Sequence, residues 1–167
     1  MTRRSLLLAG AVVPLTGCEV FSSSSAPEPS PTPPHPDNAI REGAAEAERE
    51  LVALYTAAAA AHPALQSDLE RFADRHLRHI AAIEATAPPL APGTPTPTAT
   101  APAGAPTPPE IAADPEAAVQ QLRDAETAAV EARRADCLAA RDHQLATVLA
   151  SVAACEAAHD RLLRSVP

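Results

Sequence analysis

The chain has 167 residues, with 21 acidic side chains against 13 basic ones and a formal net charge of −8. That balance argues against a nucleic-acid partner, because no basic face is available to neutralise phosphates. With two Phe, one Tyr, one Met and no Trp the chain lacks the side chains that line a haem or flavin cavity, and its five glycines form no phosphate-cradling loop.

In chain order, Thr2-Arg3-Arg4-Ser5-Leu6-Leu7 opens an apolar run that ends in Leu15-Thr16-Gly17-Cys18. A basic start, about ten apolar residues and a small-residue cut site make a secretion signal, too short to span a bilayer. These residues resemble a bacterial lipoprotein signal peptide. The resemblance implies removal of residues 1–17 and conversion of Cys18 into a lipid anchor. Arg3-Arg4 also resembles the twin-arginine export signal, with an ordinary Sec signal as the alternative. Either route leads to the extracytoplasmic face of the cell membrane, with the lipid on Cys18 as the membrane attachment. Loss of 17 of the 167 residues leaves 150, one domain's worth, and loss of Arg3 and Arg4 takes the charge from −8 to −10. Residues 18–37 are the lipidated Cys and a Ser/Pro-rich tether that cannot build a core. Extended as polyproline, at about 3.1 Å per residue, the tether reaches on the order of 50 Å.

The domain proper is expected over 38–167. Asp37 or Asn38 can cap a first helix over 38–61, which His62-Pro63 ends; Pro63 suits the first turn of a second helix over 64–86. Residues 87–113 hold nine prolines between Pro88 and Pro109, which excludes helix and central strand. Asp114-Pro115-Glu116 combines a cap, a first-position proline and a first-turn acid. From there to Val166 no Gly or Pro occurs. Arg141-Asp142-His143 is the most polar stretch and the expected break, giving helices over 115–140 and 143–165; one continuous helix is the alternative. No segment alternates at period two with β-branched or aromatic residues, so strands are not expected. The reading is all-α: a four-helix bundle of two hairpins joined by a long Pro-rich crossover, the ferritin-like topology.

At 100° per residue, the first helix turns Ala44, Ala47, Leu51, Leu54, Tyr55 and Ala58 inward, with Glu48 at the edge of the stripe and Glu46 and Glu50 facing away. The second turns in Leu65, Leu69, Phe72, Ile80 and Ile83, with His76 near the centre, His79 on the flank, and Arg75 and Arg78 outside. Glu126 lies on the Leu122/Val130 face of the third helix, with Arg133 on the same side. Glu156 and His159 lie on the Val152/Leu163 face of the fourth. The pattern repeats: Glu48 precedes His76 by 28 and His79 by 31 residues, and Glu126 precedes Glu156 by 30 and His159 by 33. Each half thus offers an inward Glu and, one hairpin later, an inward pair at i, i+3. A carboxylate-bridged di-metal site needs that arrangement, and carboxylate with imidazole suits iron or manganese.

Residues 38–165, through the paired helices, the Pro-rich crossover and the closing run Leu149-Ala150-Ser151-Val152-Ala153-Ala154-Cys155-Glu156-Ala157-Ala158-His159, resemble the ferritin-like domain of actinobacterial lipoproteins. The resemblance implies the bundle fold and a di-metal site, and no established activity. The chain departs from it at His76-x-x-His79, where Glu-x-x-His is the family pattern. One bridging carboxylate is missing, which opens three outcomes: a different metal set such as zinc, a single ion, or none. Arg133 is a candidate to fill the vacated space by pairing with a Glu.

The expected metal set is therefore Glu48, His76, His79, Glu126, Glu156 and His159, for iron, manganese or zinc. Against it stand a polar layer in which Glu and His pair across the bundle without metal, and helices rotated so that some of the six are exposed. His76 by itself reads as a satisfied, partly buried histidine before it reads as a ligand, whereas Glu156 and His159 are the best ligand candidates. His35, His62 and His143 read as solvated. Cys137 and Cys155 are candidates for a disulfide. With a turn at Asp142, however, the two differ in height by roughly 12 Å, too far to bond; a turn nearer Ala146 would allow it. Otherwise they are small apolar core residues. No Ser–His–acid triad can be assembled. The sequence points to an anchored structural or interaction module with a degenerate metal site and leaves open whether it is an enzyme. The alternative is a working metal-binding redox or storage protein built on the same six residues.

Overall fold

A computed structural model describes residues 35–89 and 107–166. The expected signal segment, Cys18, most of the expected tether and the middle of the Pro-rich stretch lie outside the described residues. Those described are helical, with no strand among them: α1 spans Asn38–Ala61, α2 Gln66–Glu84, α3 Pro115–Ala139 and α4 His143–Leu163. Among the described residues no helix is long and apolar enough to cross a membrane.

The helix ends follow local chemistry. The backbone N–H of His62 closes α1 on the Ala58 carbonyl, at 2.9 Å. Pro63–Leu65 then form a separate 3-10 turn, so α2 starts at Gln66 and not at the proline. Asp114 accepts the Ala117 N–H at 2.9 Å, and Asp142 accepts those of Gln144 and Leu145 at 2.7 and 3.2 Å. Both are side-chain N-caps for orphan first-turn donors. The expected break at Asp142 is present, and one continuous helix over 115–165 is excluded.

Asp37 precedes α1 but makes no side-chain cap there. Its buried carboxylate instead accepts the N–H groups of Arg141 and Asp142 at 3.0 and 2.7 Å. The start of α1 is thereby tied to the turn between α3 and α4. Arg41, also buried, ties the same end of α1 to the end of α2 through the Thr86 hydroxyl at 3.0 Å and the Thr86 carbonyl at 3.2 Å.

α1 packs along α2 and α3 along α4, and α1–α3 and α2–α4 contacts join the two pairs into a bundle. Its apolar interior is in two parts. One gathers Tyr55, Ala58, Leu65, Leu69, Phe72, Val119, Leu122 and Leu163. The other gathers Ala44, Ala45, Ile83, Leu145, Leu149 and Val152. Each helix contributes ionisable residues between those it sends to the two clusters: Glu48 between Ala44 and Tyr55, His76 and His79 between Phe72 and Ile83, Glu156 and His159 between Val152 and Leu163, and Glu126 just beyond Leu122. The core is two apolar layers with a polar layer between them.

Candidate metal centre

Five of the six residues singled out from the sequence, Glu48, His76, Glu126, Glu156 and His159, have no exposed surface. The sixth, His79, has a side chain 12% exposed. Glu48 is thus fully interior, not at the edge of a stripe. His76 is the hub. Its Nδ1 lies 2.8 Å from Glu48 Oε2 and its Nε2 lies 3.0 Å from Glu126 Oε1. His79 Nδ1 lies 3.0 Å from Glu48 Oε2, and His159 Nδ1 lies 3.1 Å from Glu126 Oε1. The three imidazoles touch: the His76 ring stands at 85° to His79 and 75° to His159, with centroids 5.3 and 5.1 Å away.

These contacts set the protonation of the layer. An ionised carboxylate only accepts, so a ring nitrogen facing one carries a proton; His76, facing two, carries both and is an imidazolium. Burial alone would lower its pKa, but its bonds to Glu126 and Glu48 override that and lift it to about 9. Burial would likewise raise Glu48, yet the His76 and His79 bonds bring it down to about 2. For Glu126, too, burial is outweighed, by His159, His76 and Tyr55, and its pKa is lowered. Glu156 goes the other way. Burial, the adjacent Glu48 and the charge of Glu126 push it up to about 9, and Arg133 counters only weakly.

Four oxygens of this layer receive no hydrogen bond from an imidazole, a hydroxyl, a guanidinium or a backbone N–H: Glu48 Oε1, Glu126 Oε2 and both oxygens of Glu156. The one proton of a neutral Glu156 can be shared with the adjacent Glu48 and serves at most one of these contacts. Native interiors rarely leave such atoms without a donor or an ion. Arg133 does not fill the gap. It is buried, but it gives Nε and Nη2 to Asp136 at 3.1 and 2.7 Å and Nη1 to the Ala44 carbonyl at 3.1 Å. It comes only to 3.9 Å from Glu48 Oε1, an ion-pair distance too long for a hydrogen bond.

Two residues with a part here escaped the sequence reading. Tyr55, taken as part of an apolar stripe, donates its buried hydroxyl to Glu126 Oε1 at 2.5 Å, and burial with that carboxylate raises its pKa. Its stripe position hid its polar end; the signal was a lone Tyr on the face of a helix carrying an inward Glu. Cys155, half-buried one turn before His159, has Sγ 3.6 Å from His159 Nε2, and burial raises its pKa. The candidate disulfide with Cys137 is not formed: both thiols are free, in keeping with a turn at Asp142 that sets them at different heights. Cys137 Sγ donates instead to the Ala146 carbonyl at 3.3 Å. His62 is another correction. It is buried, not solvated, with Nε2 2.9 Å from the carbonyl of Ala112, which the segment before α3 lays against it. His143 is exposed as expected, and His35 Nδ1 accepts the Asp37 N–H at 3.2 Å.

Two groups have donor geometry for a cation: Glu48 with His76 and His79, and Glu126 with His76 and His159, with the donor atoms of each within 4.8 Å of one another. Two ligands bound to one ion at about 2.0–2.1 Å with a bond angle of about 90–110° are about 3 Å apart, close to the oxygen–nitrogen distances observed. No protein-family model, curated protein or solved structure matches this chain.

Proposed function

We propose that this chain is a lipid-anchored, extracytoplasmic, ferritin-like bundle of two helical hairpins whose polar layer binds divalent transition-metal ions, with iron, manganese and zinc as the candidates. The observation that carries the reading is the set of four buried carboxylate oxygens, packed among three imidazoles, for which the only nearby proton is the one a neutral Glu156 shares with Glu48. Such oxygens are costly to bury without a donor or cation, and mixed oxygen and imidazole donors suit these ions. Glu48, His76 and His79 would hold one ion, Glu126, His76 and His159 another, with Glu156 free to join either. A bound ion would supply Lewis acidity or, for iron and manganese, an electron.

The test is elemental measurement on the purified full chain after loading with anaerobic Fe(II), Mn(II) or Zn(II) and removal of excess ion. Wild type should retain metal in stoichiometric amount, and Glu156→Ala/His159→Ala should retain less than half as much. A wild-type chain that retains none of the three ions defeats the proposal. The anchoring part is checked by mass spectrometry of the membrane-extracted protein, whose first residue should be Cys18 carrying lipid.

A second reading has an observation of its own. His76 already bridges Glu48 and Glu126, and such a layer can fix the register of four alanine-rich helices without any ion. Wild type that binds no metal but loses its cooperative melt on His76→Leu would select this reading.

A further inference from the structure

The two donor groups share one residue. His76 turns Nδ1 to Glu48 in one group and Nε2 to Glu126 in the other. Neither nitrogen is spent on an outside partner, and neither faces solvent, since the ring has no exposed surface. The terminal rings, His79 and His159, are within 12° of parallel, with centroids 5.9 Å apart, and the His76 ring stands nearly perpendicular to both. Each group also has a carboxylate of its own, so each is a three-donor set complete except for the shared ring.

We infer that His76 is a bridging ligand, holding two metal ions at once through its two ring nitrogens, with Glu48 and His79 completing one ion and Glu126 and His159 the other. This rests on the metal-binding reading above and adds to it the number of ions, the identity of the bridge and the spacing. Each ion takes the place of the proton on the His76 nitrogen and on the terminal Nδ1 that bind it. The His76 protons leave the layer, those of His79 and His159 leave or move to Nε2, and nothing is oxidised or reduced. Glu156, with both oxygens unpartnered, is left to close an open position on either ion. A bridging imidazole ring sets two ions about 6 Å apart, from two bonds of about 2 Å and the width of the ring. A bridging carboxylate sets them about 3.5–4 Å apart.

Cu(II) is the probe, because it binds nitrogen and oxygen donors most tightly among the divalent first-row ions and its unpaired electron reports coupling to a neighbour. The full chain with Cys137→Ser and Cys155→Ser, so that neither free thiol can reduce the copper, stripped with chelator at neutral pH and titrated with Cu(II), should take up two ions. Its paramagnetic resonance should lose most of the intensity due from two independent ions, because electron spins joined by one ring pair antiferromagnetically. X-ray absorption should show no metal–metal distance near 3.5–4 Å. His76→Gln should restore full intensity per bound ion, whereas Glu156→Ala at saturation should leave the coupling in place. Uptake of a single ion, two uncoupled ions with His76 intact, a metal–metal distance near 3.5–4 Å, or coupling that survives His76→Gln would each overturn the bridge while metal binding stands. A chain with His76 intact that takes up no Cu(II) would remove both. The intensity and distance measured with His76 intact decide the matter even if His76→Gln fails to fold.

Discussion

Glu156 has no exposed surface and no donor for either oxygen, so the metal-free chain holds it protonated, with a pKa near 9 against an ordinary 4.5. An acid raised on folding stays neutral in the native chain while the unfolded chain ionises, so stability drops as pH climbs from about 4.5 toward 9. His76, raised from 6.5 to about 9, acts in the same direction over the upper part of that range: its contribution is complete below 6.5 and gone above 9. Glu48, lowered to about 2, contributes above 4.5 and loses that contribution as pH falls to 2. The chelator-treated chain should therefore melt highest near pH 5–6 and lower at pH 8.5, as followed by circular dichroism. Glu156→Gln removes the ionisable group while keeping its shape, so it should flatten the alkaline limb, stabilise the metal-free chain by on the order of 1–3 kcal/mol at pH 8, and weaken metal uptake. Tyr55→Phe deletes the hydroxyl donor to Glu126 and should cost about 1.5–3 kcal/mol, the range for a hydrogen bond to a charged group, measured by urea unfolding.

The helices were legible where their ends are written locally, and the candidate site where its spacing is. Asp114-Pro115-Glu116 and Asp142 gave both caps of the second helical pair, and the repeat from Glu48 to His79 and from Glu126 to His159 brought six distant side chains to one layer. What escaped depends on contacts between parts of the chain far apart in sequence. Asp37 reads as a helix cap, yet its partners are 104 and 105 residues away. His62 reads as a loop residue until Ala112, 50 residues on, covers it. Pro63 suits the first turn of α2 by its sequence, but it begins a separate 3-10 turn. The Asp37 staple carries a prediction of its own. Asp37→Ala orphans two backbone N–H groups and should cost about 1–3 kcal/mol. The exposed cap change Asp114→Ala should cost about 1 kcal/mol. The comparison by urea unfolding separates long-range stapling from ordinary capping.

As a whole, the molecule pairs small alanine-rich helices with an interior that carries five fully buried Glu and His side chains in its polar layer. Any ion that binds the folded chain alone stabilises it by mass action, by about 2.7 kcal/mol at a hundredfold excess over Kd. Zn(II) should thus raise Tm by several degrees, and chelator should reverse the rise. The division of the core has a consequence for how the protein comes apart. Bodies held together by a charged waist need not open together, since opening one end leaves the apolar contacts of the other intact. Amide hydrogen exchange on the ion-free chain should therefore resolve two blocks with separate opening free energies, one around Leu69 and Leu122 and one around Ile83 and Leu149. Filling the waist with metal should merge them into a single cooperative unit.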